Sequence, residues 1–407
     1  MLACNYSKHS LSALQVSQVP MVRQPIDGEL VVKVHSTSIN PADWKTAEGE
    51  QAALLSFAWP RVIGFDFSGT VHQVGSDTST FNIGDPVFGM IQGLPEKDRG
   101  TLQEYMVVNE KVCVAKPDNI THAQAAAIPL VGITAVKMCQ AAGLVQLALT
   151  NATNTTNTTN TTNATNATNT TNTTTTTTNT TNETKEDTRG TKHIRVLVTG
   201  GAGGVGIHAI QIAKHLFGAT FIATTASAGV KSDLCTRMGA DLVIDYRKEK
   251  FELALATQPK FDAILDCTGE AHKCVPLLAE HGGMCSILAG PTAEALQTWL
   301  REGEWPTSKI TIGVNSFLHS GCGGSLFQYF AGGSSLKSKC ERVGGTFAHV
   351  IGTGNGPIMN ALSDCLKQNT LEAVIDTEFN LENAIEAIQY QKAGRCAGKV
   401  VVNVLVQ

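Results

Sequence analysis

The stretch IRVLVTGGAGGVGIHAIQIAKHL, residues 194–216, decides the fold class of this chain. A run of β-branched and aliphatic residues leads into a glycine-rich turn, and an apolar helical pattern follows. Gly201, Gly203 and Gly206 meet the G-x-G-x-x-G spacing, which permits a tight turn, close approach of a pyrophosphate and close helix–strand packing. The stretch therefore predicts a dinucleotide site at the N-terminus of a helix. The predicted contacts are Gly201, Ala202, Gly203, Gly204, Val205 and Gly206.

Strands and helices alternate after this turn. Strand patterns fall at residues 220–225, 242–245, 261–266 and 283–288, with helical patterns between them. Such alternation is typical of an α/β fold with a doubly wound parallel sheet, the Rossmann architecture.

The two ends of the chain have a different character. Residues 1–127 are β-rich, and the glycine-containing pattern at 62–74 is typical of strongly curved strands. Residues 372–407 return to a strand, helix, strand pattern, and the last strand could rejoin the first unit. A length of 407 residues also favours two domains.

The end of the second strand indicates which dinucleotide binds. Sites that prefer NAD place an acidic residue there, on the ribose 2′-hydroxyl, but here Thr225 and Ser227 occupy the position. Lys231 follows in the next helix, and Tyr246 and Arg247 close the third strand. Hydroxyl groups and cations suit a 2′-phosphate, so NADPH is the predicted cofactor. Lys231 could instead be an ordinary solvated helix residue, because charged surface residues are common.

Residues 150–182 consist almost wholly of Asn, Thr and a few Ala. Such a tract buries too little apolar surface to offset its ordering entropy, so we expect a disordered insertion over 150–191. Its many N-x-T sequons would suit a glycosylated stalk. The N-terminus lacks the pattern of a secretory signal, which favours unused sequons and a cytoplasmic protein.

Composition excludes several classes of protein. The net charge of −4 argues against nucleic-acid binding, and no apolar run is long enough to span a bilayer. The 11 cysteines are odd in number and form no C-x-x-C pair. We therefore expect reduced, mostly buried thiols rather than a disulfide framework.

Several motifs together resemble the medium-chain dehydrogenase/reductase superfamily, in its zinc-independent quinone oxidoreductase (zeta-crystallin-like) branch. Besides the glycine turn, they are NPADWK at 40–45, GFDFSG at 64–69, GDPVFG at 84–89, residues 129–135, 239–246 and GKVV at 398–401. The resemblance implies a GroES-like catalytic domain, 1–127 completed by about 355–407. It implies a Rossmann domain over 128–354, interrupted by the insertion, and a cleft between the two. Similar proteins are usually homodimers.

The same resemblance bears on metal binding. Zinc-dependent alcohol dehydrogenases are similar, but their catalytic Cys and His would fall at Asn40 and Phe65, which cannot bind zinc as those ligands do. Residues 91–100 also lack the cysteines of their structural zinc lobe. The sequence therefore predicts no metal.

Without a metal, the expected reaction is hydride transfer from NADPH to a small quinone or an α,β-unsaturated carbonyl compound. Negative charge that develops on the carbonyl oxygen needs hydrogen-bond donors, for which Asn40 and Lys45 are the candidates. The resemblance places Asn40 and Thr134 near the cofactor. Asn40 and Asp43, beside Pro41, could equally form a turn without chemistry.

Two alternative functions stay open. One is a trans-2-enoyl-thioester reductase, although the similar mitochondrial enzymes carry a catalytic Tyr soon after the Asn-Pro turn, and residues 46–51 contain none. The other is a non-catalytic NADPH-binding or scaffold protein, for which the insertion could serve as an interaction segment.

Overall fold

The computed structural model describes residues 1–49, 59–77, 80–93, 98–147, 193–288, 323–350 and 352–405, with backbone only over 323–332. The predicted insertion at 150–191 lies outside the described residues. Residues 1–147 and 194–407 make up one compact unit that holds three β-sheets.

Sixteen strands lie in the described residues. They are β1 Leu2–Tyr6, β2 Gln15–Gln18, β3 Glu29–Ile39, β4 Arg61–Val62, β5 Asp66–Val74, β6 Pro86–Met90, β7 Tyr105–Asn109, β8 Cys113–Ala115, β9 Arg195–Thr199, β10 Phe221–Ala226, β11 Leu242–Asp245, β12 Phe261–Asp266, β13 Leu278–Ser286, β14 Thr346–His349, β15 Ile375–Asn380 and β16 Lys399–Asn403.

Ten α-helices lie in the same part of the chain. They are α1 Pro41–Glu48, α2 His122–Ala126, α3 Pro129–Ala141, α4 Gly204–His215, α5 Val230–Arg237, α6 Phe251–Ala254, α7 Ala271–Cys274, α8 Gly323–Arg342, α9 Gly356–Lys367 and α10 Ala384–Lys392. None of these described helices has the length and apolar character needed to cross a membrane.

Six parallel strands form one sheet, in the order β11-β10-β9-β12-β13-β14. Its central strands β9 and β12 are rich in aliphatic residues that are buried on both faces, as in parallel sheets covered by helices. The strand order reverses between β9 and β12, and in such sheets ligands bind at this point, outside the carboxyl ends of the strands. The structure thus confirms the predicted doubly wound Rossmann sheet.

The second large sheet is mostly antiparallel, in the order β15-β16-β3-β5-β6-β8, and β7 also pairs with β3. Val400 of β16 lies opposite Ile39 of β3, so the C-terminal strand joins a sheet built mainly from the N-terminal part of the chain. This is the predicted GroES-like β-rich unit. A small third sheet has the order β2-β1-β4.

Some strand bounds differ from those predicted. The apolar run ELVVKV at 29–34 predicts a short strand, but β3 extends to residue 39, because its far end pairs with β16, a partner that no local pattern reveals. The strand predicted at 62–74 is broken at Gly64, where φ is +112° and a Cβ would lie 2.2 Å from Thr101 Oγ1. The strand predicted at 283–288 begins earlier, at Leu278.

Candidate active site

The glycine-rich turn follows β9 and begins α4. Gly200 N donates to Thr225 Oγ1 over 2.8 Å, and Gly201 N donates to the Thr225 carbonyl over 3.0 Å. A Cβ on Gly206 would lie 2.2 Å from the Gly200 oxygen, whereas one on Gly203 would meet only that oxygen among the described residues, at 3.3 Å. The turn is therefore closed at Gly206 and open at Gly203. Because Gly203 is the N-cap of α4 and has no side chain, no capping side chain covers the first N–H groups of the helix.

Three further predicted cofactor residues, Ser227, Tyr246 and Arg247, follow strands at the same edge of the sheet. The last residues of β10 and β11, Ala226 and Asp245, lie side by side in register. Ser227 is buried directly after β10, whereas Tyr246 is about half exposed (53%) after β11. The Arg247 guanidinium lies 6.0 Å from the Tyr246 ring centroid.

Lys231 lies in the first turn of α5, which begins after Gly229. Burial and Asp376 raise the pKa of Cys396, and the Lys231 ammonium acts in the opposite direction. Lys231 therefore acts electrostatically on Cys396, in the loop before β16 that also carries Gly398. Gly398 in turn donates to the carbonyl of Ala202 in the glycine-rich turn, over 3.0 Å.

Asp266, at the end of β12, is a residue that the sequence analysis missed. Its buried carboxylate accepts hydrogen bonds from the Thr199 and Ser286 hydroxyls, over 2.8 and 2.7 Å. It also accepts four backbone N–H groups, those of Thr268, Gly269, Glu270 and Ala271. Asp266 therefore fixes the loop after β12 against the end of β9. An acidic residue two positions before Thr-Gly, at the end of a buried strand, is the sequence signal that could have revealed it.

Asn40 belongs to a buried polar cluster with Asp66 and Lys399. The Asn40 amide nitrogen donates to Asp66 Oδ2 over 2.7 Å and to the Ser38 carbonyl over 3.3 Å. Its Oδ1 accepts a short hydrogen bond from Lys399 Nζ, which lies 3.6 Å from Asp66 Oδ2. Asn40 and Asp66 are fully buried and Lys399 nearly so. The sequence analysis selected Asn40 but neither charged partner.

Burial also shifts the protonation of this cluster. Asp43, which accepts from Asn40 N over 2.6 Å, has its pKa raised to about 8, mainly by burial. The Asn40 N–H opposes this shift and the Asp66 charge adds to it. Burial lowers the pKa of Lys399, while the nearby carboxylates Asp66 and Asp43 counteract that effect. The cluster therefore keeps a cation and carboxyl groups out of water in a fixed arrangement.

Thr134 and Lys45 lie on the two helices next to this cluster. Thr134 is buried on α3, and its hydroxyl donates to the Leu130 carbonyl over 2.7 Å. Gly352 packs against this hydroxyl, because a Cβ built on Gly352 would lie 2.5 Å from Thr134 Oγ1. The structure brings α3 close to Asn40 through Asp66, whose Oδ1 accepts from Leu130 N over 2.8 Å. Lys45 lies on α1, where its ammonium is 5.7 Å from the centroid of the neighbouring Trp ring.

Two further observations concern metals and thiols. Within the described ranges, no three His, Cys, Asp or Glu side chains form a group that could hold a metal ion. Ten cysteines lie in these ranges, and each is a free thiol.

Comparison with known proteins identifies the family. The alcohol dehydrogenase GroES-like domain family matches residues 26–118, and the zinc-binding dehydrogenase family matches residues 238–402. The chain is 31% identical to the chloroplast envelope quinone oxidoreductase homolog of Arabidopsis thaliana, over 72% of this chain and 76% of that protein. It is 30% identical to the chloroplastic NADPH-dependent alkenal/one oxidoreductase of the same plant, over 72% of this chain and 64% of that protein.

A solved structure agrees with these matches at the level of the fold. The quinone oxidoreductase from Coxiella burnetii superposes with a TM-score of 0.69 at 23% identity, covering 100% of this chain and 99% of that one. The chain therefore belongs to the quinone oxidoreductase branch of the medium-chain dehydrogenase/reductase superfamily, whose members are oxidoreductases with a nicotinamide cofactor.

Proposed function

We propose that this protein transfers a hydride from NADPH to a small quinone or an α,β-unsaturated carbonyl compound, without zinc. The observation that carries the proposal is the direct contact between the glycine-rich turn and the segment that holds the buried Asn40 cluster, through the Gly398–Ala202 hydrogen bond. A cofactor on the turn would have its reactive end near this cluster, where charge on an acceptor could be stabilised.

The residues of the turn fit a pyrophosphate. The open face at Gly203 leaves room for phosphate oxygens where a side chain would interfere. The first N–H groups of α4 and its dipole favour negative charge at this position. Gly201 and Gly206 have no space for a Cβ, at 2.1 Å from Thr224 Oγ1 and 2.2 Å from the Gly200 oxygen, so the shape of the turn depends on glycine.

The preference for NADPH rests on the edge formed by β10 and β11. Ser227 and Lys231 follow β10, and no carboxylate ends that strand to repel a 2′-phosphate. Arg247 supplies a second cation after β11, beside the exposed ring of Tyr246. Thr225, also a predicted contact, uses its hydroxyl to hold Gly200 N, so its contribution to binding is to shape the turn.

When bound, NADPH would supply hydride to the acceptor carbon, and one proton from water would complete the reduced product. Asn40 and Lys45 are the proposed donors to the acceptor oxygen, with Thr134 beside the nicotinamide. Lys399 on Oδ1 of Asn40 polarises this amide and strengthens its N–H groups as donors. Both N–H groups already donate, to Ser38 and Asp66, so contact with an acceptor requires exchange of one of these partners.

Zinc independence is proposed from the residues at the ligand positions. Asn40 is buried and bonded through both polar atoms of its amide, and Phe65 carries no ligand atom. We further propose, from the family resemblance, a homodimer. Light scattering during gel filtration would test the dimer, which requires twice the chain mass of 43.1 kDa.

The test is NADPH oxidation at 340 nm by the purified protein, with NADH in parallel and with chelator-treated enzyme. The acceptors are 9,10-phenanthrenequinone, a short alkenal and crotonyl-CoA. Turnover of quinone or alkenal with a strong preference for NADPH, unchanged after chelation, is expected. Turnover of crotonyl-CoA alone would move the assignment to an enoyl-thioester reductase. NADPH binding without any turnover would overturn an enzymatic function.

A further inference from the structure

Lys399 has an unusual position at the start of β16. Its side chain is only 2% exposed, and its ammonium donates to the carbonyl of Ile39 over 3.2 Å and to Oδ1 of Asn40. The carboxylate of Asp66 lies 3.6 Å away. A buried ammonium requires such a set of oxygen partners, because an unpaired charge in the interior costs several kcal/mol. The long Lys side chain therefore holds the end of β3 and the N-cap residue of α1 in one place.

The same residue contacts the glycine-rich turn from the other side. A Cβ built on Gly204 would lie 3.3 Å from Cδ of Lys399 and 3.4 Å from Cγ1 of Val131. The preceding residue, Gly398, donates its N–H to the carbonyl of Ala202 over 3.0 Å. The start of α4 thus packs directly on the Lys399 stem, with no intervening side chain.

Asp66 extends this connection to α3. Its Oδ1 accepts from Leu130 N over 2.8 Å in the first turn of α3, while its Oδ2 accepts from Asn40 and Ser38. Thr134 lies one turn further along α3 and bonds the Leu130 carbonyl. One ion pair therefore joins three segments: the start of α4, the start of α1 and the start of α3.

We infer that Lys399 is a positioning residue for hydride transfer, which fixes Asn40 and α3 relative to the turn that holds the cofactor. Lys399 does not reach the cofactor or the acceptor, since its ammonium is enclosed by Ile39, Asn40 and Asp66. Its effect is on the distance and angle between bound nicotinamide and acceptor. The inference rests on the proposed function and gives a role to Lys399, which the sequence analysis placed in the GKVV motif without assigning it to the site.

The test compares Lys399→Met with the double variant Lys399→Met/Asp66→Asn. The single change leaves the buried Asp66 charge without a counter-ion and can impair folding. The double change removes both charges and keeps an acceptor for Leu130 N, but it places an NH2 group opposite the Asn40 NH2 and lacks the link from Lys399 to Asn40. Asp66→Asn alone is therefore measured beside it, so that the loss caused by Lys399 is the difference between the two. Lys367→Met is the matched control, because Lys367 forms an exposed ion pair with Asp364 on α9, outside the proposed site.

Single-turnover stopped-flow measurements with NADPH and NADPH deuterated at the transferred position give the decisive result. For the folded double variant we expect hydride transfer to fall about 100-fold, as for a displacement of roughly 1 Å between reactants. NADPH affinity should stay within about threefold of wild type, and in steady-state assays the deuterium isotope effect on kcat should rise, because hydride transfer becomes rate-limiting. Lys367→Met should match wild type in all three. A double variant that folds and transfers hydride at the wild-type rate would overturn the inference.

Hydrogen exchange separates this inference from a failure of the proposed function. In the protein without added cofactor, the double variant should exchange faster than wild type in peptides covering residues 36–45, 128–134 and 199–206, and Lys367→Met should not. If the wild type turns over no quinone or alkenal, the proposed function fails while this exchange result still decides whether Lys399 joins the three segments. Unchanged exchange in all three peptides would contradict the positioning role.

Discussion

At the scale of single residues, substitution of Lys231 tests the preference for NADPH over NADH. If its ammonium binds the 2′-phosphate, Lys231→Ala removes a charge-assisted hydrogen bond that NADH never makes. We expect KM for NADPH to rise about tenfold and KM for NADH to stay unchanged. Steady-state kinetics with both cofactors measure this, and Lys367→Ala, an exposed lysine on α9, serves as the control. Equal effects on both cofactors would assign Lys231 a structural role.

Burial of His208 is expected to make the protein less stable in acid. It is fully buried on α4, its Nδ1 lies 2.7 Å from the Gly204 carbonyl, and burial is the main cause that lowers its pKa to about 4. Its ordinary pKa is 6.5, so below pH 6.5 the unfolded chain binds a proton that the folded protein does not. The unfolding free energy is therefore not reduced by His208 above pH 6.5, and it falls as the pH drops from 6.5 towards 4.

The variant His208→Asn tests this assignment, because asparagine keeps a donor for the Gly204 carbonyl and does not titrate. Between pH 7 and pH 4.5 we expect the wild type to lose about 2.5 kcal/mol more unfolding free energy than the variant, as measured by urea titration. His122, whose pKa burial also lowers to about 4, is present in both proteins and cancels. His281→Asn is the control, since His281 is exposed and its φ of +65° suits asparagine. An identical pH dependence for His208→Asn and wild type would contradict the prediction.

The limits of sequence reasoning are clear at this scale. Asn40 and the glycines could be predicted because local motifs carry them. The roles of Lys399 and Asp66 could not, because the GKVV and GFDFSG motifs that contain them indicate the family and not a site, and their ion pair forms only when β16 joins β3. A Lys in an apolar strand indicates a buried ion pair only when the strand is known to face a carboxylate.

At the scale of elements, the start of α4 distinguishes a glycine needed for folding from one needed for binding. In Gly206→Ala the new Cβ would lie 2.2 Å from the Gly200 oxygen, so the turn must shift, at a cost of about 1–3 kcal/mol in unfolding free energy. In Gly203→Ala the contact is 3.3 Å, and the loss of stability should stay below about 1 kcal/mol. The methyl group that this second substitution introduces would instead occupy the open face where the pyrophosphate is proposed to lie.

Thermal unfolding and NADPH titration by fluorescence measure both effects in the same preparations. We expect Gly203→Ala to melt close to wild type but to bind NADPH about tenfold more weakly or worse. For Gly206→Ala the main expected effect is a lower melting temperature. If Gly203→Ala bound NADPH like wild type, the pyrophosphate would not lie at this turn.

The elements themselves could be predicted to different degrees. Strands β9 to β12 and helix α4 follow from periodicity within a few residues, because each is buried along its own length. The extension of β3 to Ile39 depends on β16 from the other end of the chain. The break at Gly64 depends on contact with Thr101. Local patterns therefore locate elements, and tertiary contacts set their ends.

At the scale of the whole molecule, the sequence segments on either side of the insertion meet at one corner of the fold. Leu147 N donates to the carbonyl of Leu216 over 2.9 Å, just after α4. The carbonyl of Ile194 accepts from Thr220 N over 2.9 Å, just before β10. Because residues 216 and 220 are close along the chain, the chain leaves and re-enters the compact unit at neighbouring points.

This geometry predicts that residues 150–191 can be replaced by a short linker without loss of the fold or of activity. With a Gly-Ser linker of about six residues, closing the shorter loop should cost less entropy, and unfolding free energy should rise by about 1–2 kcal/mol. NADPH affinity and quinone turnover should stay within about twofold of wild type, since Leu147 and Ile194 keep their partners. A Gly-Ser segment of the original length is the control that separates length from composition. If the short linker abolished folding while the long one did not, residues 147 and 194 would need a longer connection than these hydrogen bonds imply. If both replacements failed, the Asn/Thr-rich residues themselves would contribute to the folded structure, and the prediction of a disordered insertion would be wrong.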